Sequence, residues 1–216
     1  MDNYISIDEL VENKEYDKAL SALLKLYKKN RNSSYLVKMA QIYRIKKEDK
    51  FAFKILHTAY KKMPDAKLAR EIAIAYFYNQ KYKKAIEYYK NQIDLEGITP
   101  DNLYDLACSY HYDNNFIEAY KNYLNVLNID KKNIKALNNL GCLYYETNNY
   151  KDAFETFNNS INILRKNPEA YYYLGILYRE YLNDKELSTL YLKKAIFYDP
   201  NHKETYLELE KTSKLA

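Results

Sequence analysis

The chain has 216 residues and 47% hydrophobic side chains, enough to build a core, which argues against wholesale disorder. Only 4 Pro and 3 Gly leave little turn chemistry for an all-β fold, and the net charge of +5 is mild and interspersed, without the dense basic stripe of a nucleic-acid binder. The acidic start MDNYISIDEL does not read as a signal peptide and no apolar run is long enough to span a membrane. With two cysteines in no framework spacing, the expected setting is the reducing cytoplasm.

In chain order, SIDE at Ser6–Glu9 reads as a capping box opening a short helix, and EYDKALSALLKLYKK reads as a longer amphipathic one. Beyond them the chain repeats itself. Tyr43, Tyr76, Tyr110, Tyr144 and Tyr178 are spaced by 33, 34, 34 and 34 residues. Three residues before each stands a small residue: Ala40, Ala73, Ala107, Gly141, Gly175. A second small series, Ala19, Ala52, Ala85, Ala119, Ala153 and Ser188, is followed four residues later by Leu23, Leu56, Tyr89, Tyr123, Phe157 and Leu192.

Each period contains two apolar stripes of helical spacing. Leu137, Leu140, Gly141 and Tyr144 form one, and Ala153, Phe154, Phe157 and Ile161 form the other. TNNY separates them, since Asn tolerates turn geometry that a helix interior does not. Two helices joined by so short a turn make an antiparallel hairpin. Gly141 costs its helix roughly 1 kcal/mol against Ala. It is expected to make room for the partner helix, crossing near Ala153 with Tyr144 and Phe157 filling the flanks.

These residues resemble the tetratricopeptide repeat, whose 34-residue pattern is W-x2-L-G-x2-Y, A-x3-F, then P. LNNLGCLYYETNNYKDAFETF from Leu137 and YYYLGILY from Tyr171 carry the likeness best. Leu36, Ala69, Leu103, Leu137 and Tyr171 occupy the Trp slot, while Pro64 and Pro200 keep the terminal proline and Gly97, Lys131 and Arg165 replace it elsewhere. The expected organisation is a degenerate first repeat at 1–32, then repeats 33–65, 66–99, 100–133, 134–167 and 168–202. A closing helix at 203–216 would follow, with Tyr206 and Leu209 covering the last hairpin and Glu204, Glu208 and Lys211 facing water. The resemblance implies an all-α fold, an α-solenoid of helix-turn-helix repeats coiled into a right-handed superhelix.

The resemblance also implies a concave groove, lined by the first helices, that binds a peptide or helix of a partner protein. Its positions fall on Gln41 and Arg44, then Arg70, Phe77 and Tyr78. Tyr104, Cys108, His111 and Tyr112 come next, followed by Asn138 and Tyr145, then Tyr172 and Arg179. Lys outnumbers Arg by 29 to 5, yet three Arg map to the groove. Two readings of these stay open: anchors for acidic groups of a ligand, or internal ion pairs with Glu71, Asp105 or Glu180. The carboxylate clamp of chaperone-binding members is not matched, because Val37, Gln41, Ile74 and Asp105 stand at its positions. This argues against chaperone C-terminal tails as partners.

No phosphate loop, GxSxG or HExxH appears, and His57, His111 and His202 fall in different repeats. Cys108, Cys142 and His111 provide three candidate metal ligands where a structural zinc takes four, so neither a metal nor a cofactor is expected. The reading is a non-enzymatic scaffold or adaptor. The alternatives are a single-stranded RNA reader, disfavoured by Asp101, Asp105, Glu146 and Glu180, and a self-associating array.

Overall fold

A computed structural model describes residues 6–214. The expected first repeat and closing helix reach beyond these limits, at residues 1–5 and 215–216. Among the described residues there are 13 helices and no strand, and the chain divides into two compact units, residues 1–102 and 103–216.

The first unit holds α1 (Ile7–Glu12), α2 (Tyr16–Asn30), α3 (Ser33–Ile45), α4 (Asp49–Lys62), α5 (Ala66–Tyr78) and α6 (Tyr82–Glu96). The second holds most of α7 (Pro100–Tyr112), then α8 (Phe116–Ile129), α9 (Ile134–Glu146), α10 (Tyr150–Ile163), α11 (Pro168–Glu180), α12 (Lys185–Tyr198) and α13 (Lys203–Lys214). Within the units, consecutive helices from α1 to α6 and from α8 to α13 pack against their chain neighbours, antiparallel across each short turn. The capping box at α1 forms as expected: Glu9 N–H donates to Ser6 Oγ at 3.1 Å, and Ser6 N–H to Glu9 Oε2 at 2.6 Å.

The phase-locked series form the core. Ala19, Ala40, Ala73, Ala85, Ala107, Ala119, Ala153 and Ser188 are fully enclosed, and so are Leu23, Leu56, Tyr123, Phe157 and Leu192. The space beside Gly141 is used differently from the expectation. A Cβ there would stand 2.7 Å from Phe157 Cζ, so the ring tip itself fills the gap. At Gly175 a Cβ would meet Leu192 Cγ at 2.7 Å and the Leu192 backbone nitrogen at 3.2 Å. Glycine here admits a large residue from the second helix, and that residue lies four positions beyond the small one.

Every hairpin turns through one residue in the left-handed region: Lys14, Lys47, Gln80, Asn114, Asn148 and Asn183, with φ between 53° and 60°. The next backbone N–H then donates to the carbonyl of Leu10, Tyr43, Tyr76, Tyr110, Tyr144 or Tyr178, at 2.7–2.9 Å. The repeating tyrosine therefore marks the residue whose carbonyl closes the turn.

The closing helix keeps Glu204 and Lys211 in water and half-buries Leu209, as expected, but exchanges Tyr206 for Glu208. Thr205 and Thr212 are buried and Glu208 is turned inward, while Tyr206 is exposed. The cause is Arg179. Its guanidinium donates to Glu208 Oε2 at 2.6 Å, to the Glu208 carbonyl at 3.3 Å and to Thr212 Oγ1 at 3.1 Å, fixing α13 by its polar face.

Candidate functional site

In the first unit α3 and α5 are tied together at the expected groove positions. Arg44 Nη1 donates to Glu71 Oε2 at 2.8 Å and Nη2 to the Glu71 carbonyl at 3.1 Å, while Gln41 Nε2 reaches Glu71 Oε1 at 3.4 Å. Of the two readings of Arg44, the internal pair with Glu71 is the one the structure contains. Arg70 lies exposed on α5. Phe77 is half-buried with its ring against Tyr78 and Tyr82, and Tyr78 is 81% exposed. Beside Tyr78 opens a cleft of about 480 Å³, walled by Phe53, Ile74 and Tyr76 and edged by Arg44, Lys50 and Lys81.

In the second unit the expected residues join two polar networks. Around Cys108, Asn139 Nδ2 donates to Tyr104 Oη at 2.9 Å and to the thiol at 3.3 Å, and the Tyr123 hydroxyl reaches the thiol at 3.6 Å. His111 bridges outward, with Nδ1 3.3 Å from Tyr123 Oη and Nε2 2.9 Å from Glu146 Oε2. Burial pushes the Cys108 thiol up, and burial pushes Cys142 up to about 12. Both thiols stay protonated at neutral pH, the form that neither attacks nor ligates. Both are free, and among the described residues no three His, Cys, Asp or Glu are grouped to hold a metal.

The other network is structural. Asn138, only 5% exposed, accepts from Ser160 Oγ at 2.7 Å and Asn167 Nδ2 at 2.9 Å, and it donates to Glu169 Oε2 at 2.7 Å. Its amide is committed to tying α9 to Ser160 of α10 and to Asn167 and Glu169 at the start of α11. Tyr145 Oη donates to Glu180 Oε2 at 2.8 Å, and the Tyr172 ring stands edge-on to Tyr173 and His202.

The residue after four of the five repeating tyrosines thus serves as a strut, the exception being Phe77 after Tyr76. Arg44, His111, Tyr145 and Arg179 reach Glu71, Glu146, Glu180 and Glu208 on the next first helix or on α13. One position further on, the side chains are open to solvent: Ile45 is 53% exposed, Tyr78 81% and Tyr112 61%, and Glu146 and Glu180 are exposed too. Sequence alone offers Glu71 and Glu180 as internal partners; what it misses is that Glu146 and Glu208 complete the series, a glutamate recurring about one repeat after each strut.

The first helices of the second unit also enclose a trough of about 270 Å³. Tyr112 and His111 of α7, Cys142 and Glu146 of α9, and Glu169 and Tyr173 of α11 line it. Among the described residues no helix is long and apolar enough to cross a membrane.

Residues 134–167 match the family model described as Tetratricopeptide repeat. No curated protein matches the chain in sequence. Among solved structures it is similar to YrrB, described as a TPR protein with an unusual peptide-binding site. That match has 18% identity and a TM-score of 0.67, over 89% of this chain and 99% of that one. A tetratricopeptide repeat protein from Parabacteroides merdae matches at 17% identity and a TM-score of 0.69, over 96% of both chains. The C-terminal part of a TPR repeat-containing protein from Cytophaga hutchinsonii matches at 20% identity and a TM-score of 0.68, over 96% of this chain and 89% of that one. With its in-phase small residues, its left-handed hairpin turns and these likenesses, the chain is a tetratricopeptide-repeat protein.

Proposed function

We propose that the protein is a non-catalytic adaptor that holds a peptide or helix of a partner protein on the faces formed by its first helices. Tetratricopeptide-repeat proteins generally mediate protein–protein interactions, and a peptide-binding site is part of the description of YrrB. The observation that carries the reading is that each unit exposes a tyrosine at one equivalent repeat position, Tyr78 in the first and Tyr112 in the second, each beside a concavity of its own unit. A tyrosine offers large contact area with few rotors to freeze, which suits an interface anchor. Phe77, Tyr104, Tyr145, Tyr172 and the three Arg are the supporting frame of those faces. Glu146, Glu169, Glu180 and Glu208 disfavour the RNA reading, since they oppose phosphate. The two unpaired thiols support a reducing, cytoplasmic setting.

The test is affinity capture with the wild-type chain and with a Tyr78→Ala/Tyr112→Ala variant, followed by mass spectrometry. Each truncated anchor is expected to cost about 2 kcal/mol of binding, enough to clear specific partners from the variant. Recovery of the same partners by both chains would show that these tyrosines are not the contact.

A further inference from the structure

The trough between α7, α9 and α11 has a definite charge. Glu146 and Glu169 line it, and among the described residues neither forms an ion pair with Lys or Arg. Glu146 meets the imidazole edge of His111, and Glu169 meets the Asn138 amide. An amide hydrogen bond leaves a carboxylate's charge in place, and a concave wall of low polarisability strengthens its field. The surroundings register that field. Burial first, and then the nearby Glu169 and Glu146 charges, push the Cys142 thiol upward. The hydroxyls of Tyr104 and Tyr173 are raised chiefly by burial, with Glu169 again contributing.

The positions on α9 that carry Glu146 and anchor Glu169 are also spaced. Glu169 is anchored at Asn138, eight residues before Glu146 on α9. At 1.5 Å per residue that is about 12 Å along the helix. An extended chain covers the same distance in three or four residues, at about 3.3 Å each. Tyr112 and Tyr173 line the same trough, and ring faces attract ammonium and guanidinium groups.

We propose that this trough receives an extended segment of a partner protein carrying two basic side chains, Lys or Arg, three or four residues apart, seated at Glu169 and Glu146. The inference rests on the adaptor reading and adds the chemistry of the ligand. A cation brought to either carboxylate gains a charge-assisted hydrogen bond without displacing a Lys or Arg, Glu146 sharing its charge only with the His111 imidazole. An acidic segment would meet like charge at both ends of the trough.

The test is to pan a display library of random 12-residue peptides against the full chain. Enriched peptides are then synthesised and their binding measured by fluorescence anisotropy. Pairs of Lys or Arg three or four apart should be enriched. Glu146→Gln and Glu169→Gln, which keep the His111 and Asn138 contacts, should each weaken binding about threefold to fivefold, and together about tenfold or more. Affinity should fall with added salt, less steeply for the double variant. Replacing each Arg of the peptide by citrulline should give the same loss on the unmodified protein, so the result does not depend on the variants folding. Enrichment of neutral or acidic peptides, or basic peptides indifferent to both changes, would overturn this inference and leave the adaptor reading standing. Enrichment of nothing at all would overturn both.

Discussion

The two units build the same hairpin from different residues. In the first the turn puts Lys14, Lys47 and Gln80 in the left-handed region, and in the second Asn114, Asn148 and Asn183. The crossing residues are Ala40 and Ala73 in the first unit and Ala107, Gly141 and Gly175 in the second. Charge divides as well. Residues 1–102 carry 20 Lys and Arg against 14 Asp and Glu, and residues 103–216 carry 14 against 15. The whole positive charge of the protein therefore belongs to the first unit, while the second, where the acidic trough lies, is slightly negative. A hairpin needs a small residue where its helices cross and a carbonyl placed to close its turn. It is indifferent to the charge of its outer faces, so one frame can present two chemistries.

The largest expected difference lies at the crossings. Gly141→Ala gains helix propensity of about 1 kcal/mol but drives a methyl into the Phe157 ring tip. That ring cannot retreat easily, being fully buried and stacked on Tyr173 at 4.9 Å with an interplanar angle of 3°. The net expectation is a loss of about 1–3 kcal/mol in urea unfolding. Phe157→Ala alone should cost about 3–5 kcal/mol. In that background Gly141→Ala should turn neutral or stabilising, because the clash is gone and the propensity remains. Additive losses in the double variant would mean that ring and glycine do not share the space. Ala73→Gly in the first unit should lose stability through propensity and a lost methyl, with no clash to relieve.

How far these features were legible follows from the same residues. The in-phase series placed the hairpins and named the core, because a fixed period of small and large residues has no other simple cause. The turn was readable at TNNY, where Asn148 advertises its geometry, and silent at Lys47 and Gln80, whose side chains carry no such preference. The residues expected at the groove were legible as places on the first helices but not as roles. Sequence placed Arg44, His111, Tyr145 and Arg179 on the first helices. Which way each side chain reaches depends on a glutamate about one repeat away, a pairing that only packing decides. The closing helix shows the same limit: its apolar residues suggested Tyr206 as the inward face, and the buried Arg179 selected Glu208 instead.

The turn comparison gives a smaller, opposite expectation. A residue other than Gly or Asn pays to sit at positive φ, so Gln80→Gly should stabilise the first unit by about 0.4–1 kcal/mol. Asn148→Gly should gain less, since Asn already tolerates the conformation. Thermal or urea midpoints of the two single variants would rank them. An Asn148→Gly gain equal to that of Gln80→Gly would show that the turn residues of the two units are equally well chosen.

The smallest effect separates the units by pH. His57 of α4 lies among the rings of Phe53, Tyr76 and Tyr88, with Nδ1 3.5 Å from Tyr88 Oη and Nε2 buried without a hydrogen-bond partner among the described residues. Burial, reinforced by the charges of Lys61 and Lys84, lowers its pKa from the ordinary 6.5. The folded state therefore binds this proton less readily than the unfolded chain. The stability that the neutral ring supports is complete above about 6.5 and is lost as pH falls through the lower folded value. Glu208 of α13 belongs to a more acidic window. Burial alone would raise its pKa, but hydrogen bonds from Lys211 and Arg179 outweigh that and hold it below 4.5, so its contribution fades only on further acidification. Hydrogen exchange corrected for intrinsic rates should show α4 losing protection between pH 7.5 and 5.5, with α13 following below about 4.5. His57→Gln should flatten the first of these steps and leave the second, because an amide carries no proton to gain. Equal loss of protection in α4 with and without the imidazole would place the acid sensitivity of the first unit elsewhere.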